Sequence, residues 1–142
     1  PIAELFARVQ QLMGAQIAEK AIDFRFNVEP ESLELTADPE LIEQVLLNLL
    51  LNAIQAVQDQ ADARIELTAR MDERGRIIIQ IVDNGPGIIE EALEKVFIPF
   101  FTTKQDGSGI GLSLSRQIMR LHRGTISVHS QPNVETIFTL RF

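Results

Sequence analysis

No cysteine occurs among the 142 residues. That excludes disulfides and thiolate metal sites, and it fits a reducing compartment. No apolar run is expected to reach the roughly 18–20 residues of a membrane helix, and no stretch has the layout of a secretory leader. Positive charge is scarce. Thirteen Lys and Arg against 20 Asp and Glu leave a net charge of -7, a balance that argues against nucleic acid as a partner. An anionic small molecule remains compatible with it where a bridging cation or a local basic group offsets the field. The chain opens on Pro1 rather than Met, so we expect a piece of something longer, with any targeting or membrane segment outside it.

What is present is a 45% hydrophobic chain of one-domain length, long enough for a real core. Leu5, Val9, Leu12 and Met13 recur at helical spacing within residues 1–20. Phe24, Phe26 and Val28 alternate as a strand that Pro30 ends, and Leu33 and Leu35 suggest a short second strand. Asp38 is placed to cap a helix and Pro39 to open it, and the pattern carries on to about Asp59. Ile65, Leu67, Ala69 and Met71 alternate, residues 72–75 form a turn, and Arg76 to Asp83 is a mostly apolar strand, so the two strands form a hairpin.

Residues 84–87 read as a loop, Ile89 to Phe97 as a short helix, and Phe97 to Gly111 as irregular. Ile110, Leu114, Ile118 and Leu121 mark another helix. Gly124 ends it, with Arg120, His122 and Arg123 at a C-terminus that favours cations. Thr125 to Ser130 and Thr136 to Phe142 close the chain as a hairpin, with Phe138, Leu140 and Phe142 on one face. The expected fold class is α+β: a two-layer sandwich whose mixed, mostly antiparallel sheet carries helices on one face.

Three segments carry chemistry. At 100° per residue, Gln44, Asn48, Asn52 and Gln55 share one narrow stripe of the helix that begins near Pro39. Ile42, Leu46, Leu50, Ala53 and Val57 lie opposite, Leu47, Leu49, Leu51 and Ile54 fill much of the flanks, and a helix apolar nearly all round is a buried helix. Amides satisfied by neighbouring backbone would explain one asparagine. Two at i, i+4 with a Gln at either end point to the wall of a polar cavity, with amide oxygens that are hard ligands suited to Mg²⁺ or Ca²⁺. Asp83 ends an isoleucine-rich strand, and its carboxylate, acceptor-only, can read an amino group. Gly85 and Gly87 behind it permit close approach and positive φ, although on this loop alone a plain turn is the better reading. Gly107, Gly109 and Gly111 precede a helix and suit phosphate, with Lys104 just upstream. The spacing matches neither a dinucleotide fingerprint nor a Walker loop.

Four segments together resemble the catalytic ATP-binding domain of two-component sensor histidine kinases, within the Bergerat-type (GHKL) ATPases. Asn48 to Ala53 looks like the asparagine box, Asp83 to Ile88 the first glycine box, Phe97 to Lys104 the phenylalanine box, and Gly107 to Leu112 the second glycine box. The resemblance implies ATP and Mg²⁺ as cofactors. It implies that Asp83 binds the adenine amino group and that Asn52 coordinates Mg²⁺ on the phosphates, with Asn48 supporting that region as a second candidate ligand. Gly85, Gly87, Ile88, Thr102, Thr103, Lys104, Gly107, Ser108, Gly109, Ile110, Gly111, Leu112 and Thr136 would complete the nucleotide contacts. Phe97 and Phe100 would anchor a lid spanning Phe97 to Gly111, which the short Gln105 and Asp106 segment keeps compact.

It further implies that residues 1–20 lead from an acceptor domain outside the chain and that 21–142 form the catalytic domain, with a cytoplasmic location. The partners would be the protein's own dimerisation domain and a response regulator, with no membrane contact from this domain. Two positions depart from the family pattern: Gln55 stands where many members carry a basic residue, and Asn133, Val134 and Glu135 stand where a glycine pair usually precedes the threonine. His122 and His129 lack the acidic neighbour of an acceptor histidine and read as structural; Glu43 reads as a surface or interdomain residue. No side chain stands out as a general base. The alternatives are another ATPase of the same superfamily, a serine-directed kinase, or a non-catalytic nucleotide sensor.

Overall fold

In a computed structural model, the structure describes residues 1–88, Phe97 and 111–142. Helix α1 (Ile2–Glu19) buries Ile2, Phe6, Val9 and Met13, the i, i+3, i+4 spacing of one helical face. Phe6 meets Phe26 edge-on, with ring centroids 6.1 Å apart. Helix α2 (Pro39–Val57) begins as its sequence dictates. The Asp38 carboxylate accepts the backbone N–H groups of Glu40 and Leu41 at 3.0 and 3.3 Å, and Pro39 occupies the first turn. The helix ends at Val57, two residues short of expectation.

The 19 residues of α2, with mean hydropathy 1.3, suffice by length and composition to cross a membrane. Glu40, Glu43, Gln44, Asn48, Asn52 and Gln55 break α2 into short apolar runs without cancelling its mean hydropathy. Here α2 is the core helix. Ile42, Val45, Leu46, Leu49, Leu50, Ala53, Ile54 and Val57 are buried, and each fully buried aliphatic side chain contributes about 1.5–3 kcal/mol.

Strands β1 (Asp23–Val28), β2 (Arg64–Met71), β3 (Ile77–Asp83), β4 (Thr125–Gln131) and β5 (Glu135–Arg141) form one sheet of order β1-β2-β3-β5-β4. The β1–β2 pair is parallel, because α2 supplies the long crossover that parallel neighbours require; the other three pairs are antiparallel. Alternation turns Ile65, Leu67 and Ala69 of β2, Ile79 and Ile81 of β3, and Phe138 and Leu140 of β5 into the buried core. The sheet is thus mixed and mostly antiparallel. Leu33 and Leu35 form no strand. Leu33 is buried, and its carbonyl accepts the Ile2 N–H at 3.2 Å, so it serves a free donor at the start of α1.

Helix α3 (Gly111–Leu121) runs antiparallel to α2 and ends differently from expectation. The Arg123 N–H bonds to the Arg120 carbonyl, the Gly124 N–H reaches the Met119 carbonyl, and the left-handed residue is Arg123, at φ 58°. This is a Schellman ending in which arginine occupies the position glycine favours. Gly124 is glycine for a different reason: a Cβ there would lie 2.4 Å from the Arg141 carbonyl oxygen. Helix α1 ends the same way, with Ala21 at φ 52°. A left-handed non-glycine residue costs about 1–3 kcal/mol, partly offset by glycine's larger unfolded-state entropy. Ala21→Gly is therefore expected to raise the unfolding free energy by roughly 0.5–1 kcal/mol, read from urea denaturation.

The β2–β3 turn carries a second measurable feature. One Asp72 carboxylate oxygen accepts the N–H groups of Arg76 and Arg74 at 2.8 and 2.9 Å. The Arg76 bond foremost, then that of Arg74, holds this carboxyl below its ordinary 3.8. A depressed folded-state value means that the contribution is full above the unfolded-state value and is lost as pH falls through the folded one. In urea titrations run below about pH 4, Asp72→Asn should show a shallower acid loss of stability than the parent chain.

Candidate functional site

The register of the sheet assembles one end of the site. Asp83 pairs with Ile65 on one side and Thr136 on the other, and Thr136 pairs with Ser130. These four residues form a single cross-strand row that points to the helical layer. Asp83 and Thr136 are only 3% and 4% exposed. A buried carboxylate needs donors, and the Gly85 N–H supplies one at 2.9 Å.

Gly85 has to be glycine. A Cβ there would stand 2.8 Å from the Asp83 Oδ1 and 3.1 Å from both the Cβ and the carbonyl oxygen of Ala56 on α2. Gly87 has φ 80°, and a Cβ there would meet the Ser130 hydroxyl at 2.8 Å. The loop is thus wedged between α2 and the closing hairpin.

Side chains hold this loop at both ends. The Asn84 Oδ1 accepts the Arg64 N–H at 2.7 Å, and its Nδ2 donates to the Asp62 carbonyl at 2.7 Å. Gln60 donates to the Asn84 carbonyl at 2.9 Å. At the far end the Ile88 N–H donates to Ser130 Oγ at 2.7 Å, and the Asn133 N–H donates to the Pro86 carbonyl at 2.6 Å. Asn133 has φ 65°. An asparagine thereby supplies a left-handed turn of the kind glycine favours, and Thr136 keeps its place in the row.

From Ala56 the amide stripe of α2 leads away from Asp83. Asn52 and Asn48 follow at one-turn intervals and are half-buried, whereas Gln44 and Gln55 are exposed. Asn48 Nδ2 donates to the Gly111 carbonyl and to Ser115 Oγ, at 3.4 and 3.5 Å, and Ser115 Oγ in turn donates to the Gly111 carbonyl at 2.9 Å. The start of α3, the positive end of its dipole, is therefore held against Asn48. From Asn48 to Ala56 the stripe runs about 12 Å. An acceptor-only carboxylate stands at one end of it and an anion-favouring helix start at the other.

Phe97 stands edge-on to Phe138 at 6.4 Å, with the Arg116 guanidinium 5.9 Å from its ring centre. Leu112 and Ile88 pack against the core. Phe100, Thr102, Thr103, Lys104, Gly107, Ser108, Gly109 and Ile110 lie outside the described residues, as does the short helix expected from Ile89. Glu43 forms an ion pair with Arg8 of α1. The His122 ring donates from Nδ1 to the Ile118 carbonyl at 2.8 Å and accepts the Asp38 N–H on Nε2 at 3.1 Å. It joins the end of α3 to the start of α2. His129 is exposed on β4.

Sequence reasoning missed Ser130, Asn84 and Gln60. The position of Ser130 six residues before Thr136, across a hairpin, is the one signal that could have found it. Among the described residues no group of three His, Asp or Glu side chains could hold a metal. A hard cation would take the Asn52 amide oxygen together with oxygens of its ligand.

A family profile described as "Histidine kinase-, DNA gyrase B-, and HSP90-like ATPase" matches residues 37–142. The sensor histidine kinase ZraS of Klebsiella oxytoca is 36% identical over 96% of this chain and 29% of its own length. The signal transduction histidine-protein kinase AtoS of Escherichia coli (strain K12) is 43% identical over 84% and 19%. The chain thus spans less than a third of either relative. Among solved structures, the nucleotide-free catalytic domain of histidine kinase ThkA superposes with a TM-score of 0.86 at 36% identity, covering 98% of this chain and 90% of that one. Full-length ShkA in complex with AMPPNP gives 0.88 at 26% identity over 99% and 29%. ThkA in complex with the response regulator protein TrrA gives 0.82 at 34% identity over 98% and 39%.

The fit at Gly85 yields a direct test. Gly85→Ala must displace either the Asp83 carboxylate or α2, and overpacking of this kind costs about 1–3 kcal/mol. Chemical denaturation should report that loss, and an unchanged midpoint would contradict the close approach.

Proposed function

As a member of the histidine kinase-, DNA gyrase B- and HSP90-like ATPase family, this chain is the ATP-binding catalytic domain of a sensor histidine kinase, and we propose that it presents Mg-ATP along the α2 stripe to a histidine on a separate domain. The observation that carries this reading is the buried Asp83 carboxylate, fixed by Gly85 and set in one row with Thr136. It is a built acceptor for an exocyclic amine, about 12 Å along α2 from a helix start suited to phosphate.

On this reading Asp83 takes the adenine amino group, and Thr136, Gly87 and Ile88 surround the base. Asn52 shares Mg²⁺ with the phosphates, while Asn48 holds the start of α3 and stands as a second ligand candidate. Gly111 and Leu112 present backbone N–H groups to the phosphates. The resemblance adds Thr102, Thr103, Lys104, Gly107, Ser108, Gly109 and Ile110 to the phosphate side, with Phe97 and Phe100 as lid anchors. Bound ATP supplies the transferable γ-phosphoryl group. The residues of this chain contribute position and charge stabilisation, which carry most of the catalysis in such transfers.

The acceptor histidine lies on the protein's own dimerisation domain, to which residues 1–20 lead, and its phosphoryl group passes to a response regulator. The TrrA complex of ThkA supports that last partner. The domain works in the cytoplasm and makes no membrane contact.

Calorimetry tests the reading. The chain should bind ATP more tightly with Mg²⁺ than without it, and Asn52→Ala should remove most of that Mg²⁺-dependent gain. Labelled ATP should leave the chain nearly unmodified when it is incubated alone and should label the parent's acceptor domain when that is added. Strong labelling of the isolated chain, or an unaltered Mg²⁺ dependence in Asn52→Ala, would defeat the proposal.

A further inference from the structure

We propose that Ser130 is a specificity-determining positioning residue, which acts through Ile88 and Thr136 to set how the Asp83 end of the site reads a nucleobase. The inference rests on the adenine-reading role of Asp83 given above and deepens it.

Ser130 is the last member of the inward row that contains Asp83 and Thr136. It belongs to the closing hairpin, 42 residues beyond the loop that it holds. A serine hydroxyl has one proton and two lone pairs. One lone pair accepts the Ile88 N–H at 2.7 Å. That bond fixes the backbone at the exit of the first glycine loop, and Gly87 lies so close that a Cβ there would reach the same oxygen at 2.8 Å. The single proton then has two destinations: the Glu135 carbonyl at 3.2 Å or Thr136 Oγ1 at 3.4 Å. Given to Thr136, it fills an acceptor site on that hydroxyl and leaves the proton of Thr136 free to be directed elsewhere. The neighbouring position in the row on that side is Asp83. Kept on Glu135, it leaves the second lone pair of Ser130 to accept the Thr136 proton, and Thr136 Oγ1 then meets the site as an acceptor.

The choice therefore sets whether Thr136 approaches the Asp83 end as donor or acceptor. A 6-amino group is a donor that must be met by an acceptor, whereas a purine without it offers nothing to bond at that point. Loss of the hydroxyl releases Ile88 and the orientation of Thr136 together, at the place where the base would be read and about 12 Å along α2 from the phosphate side. Ser130 touches neither the phosphates nor the magnesium in this arrangement, so its effect should depend on the base and not on the triphosphate.

The experiment compares Ser130→Ala with the parent chain by calorimetry against Mg-ATP and against Mg-purine riboside triphosphate, which lacks the 6-amino group. Ser130→Ala is expected to weaken ATP binding about 5–10-fold, the worth of one hydrogen bond, and to leave the purine analogue within about twofold. The parent's own preference for ATP over the analogue tests the adenine-reading role separately. If the parent shows no preference, that role fails; if the parent prefers ATP and Ser130→Ala keeps the full ratio, only the present inference fails. Circular dichroism melts establish that the variant is folded. Should Ser130→Ala lose its cooperative melt, Ser130→Cys preserves the volume with a weak donor and acceptor and should narrow the ratio in the same way. Equal weakening for both nucleotides, or the failure of both variants to fold, would reduce Ser130 to a stabilising residue and overturn the proposal.

Discussion

The pairing of Asp83 with Thr136 across β3 and β5 is the contact on which the rest of the site depends. Side chains alternate faces along a strand, so a slip of one residue would turn Asp83 outward and Val82 inward. The register is secured elsewhere in the sheet, by Ile79 against Leu140 and Ile81 against Phe138, all of them buried. The apolar core therefore does more than stabilise. It specifies which face the one buried carboxylate of the described residues occupies, and at what depth. Because Thr136 also pairs with Ser130 on β4, one register decision places three polar side chains beside one another.

A carboxylate at 3% exposure in a core this apolar carries a desolvation penalty, and the loop that follows it is built to offset part of that cost. Each glycine has a specific reason. Gly85 brings its N–H to the carboxylate by approaching closer to Asp83 and Ala56 than any side chain allows, and Gly87 turns the chain at positive φ under the Ser130 hydroxyl. Asn84, between Asp83 and Gly85, bonds to two backbone groups across the start of β2. The loop is therefore rigid by construction, and a rigid acceptor discriminates better than one that can adjust to a wrong partner.

Much of this was legible in the sequence wherever the determining interaction is local. The Asp38 cap and Pro39, the alternation of β2, the hairpin turn at Asp72 and the amide stripe of α2 all follow from residues within one or two turns of each other. Contacts distant in sequence left no such trace. Leu33 and Leu35 looked like a strand, but Leu33 is held by Ile2 at the start of α1. The Ser130 bond to Ile88 spans 42 residues and the His122 bond to Asp38 spans 84, and neither residue sits in a pattern that announces its partner. Asn133 and Arg123 escaped for another reason. Each takes a left-handed conformation that a sequence reader assigns to glycine; Asn133 is held there by a bond to the distant Pro86 carbonyl, Arg123 by the bonds that close the end of α3.

Helix α2 also acts as a ruler for α3. Asp38 and Asn48 lie about 15 Å apart along α2, and His122 and Gly111 about 16 Å apart along the α3 segment, at the helical rise per residue. The two ties, Asp38 to His122 and Asn48 to Gly111, are nearly commensurate on helices that run in opposite directions, so each supports the other without strain. Their joint effect is positional. They hold the positive end of α3 beside the same stripe whose other end, at Ala56, touches the Asp83 loop. Both add to the packing of Ile118 and Met119, which α3 buries in the core. With both in place, the distance between the carboxylate end and the helix-start end of the site is set by α2, the most deeply buried helix in the described structure, and so by the element least able to change its length.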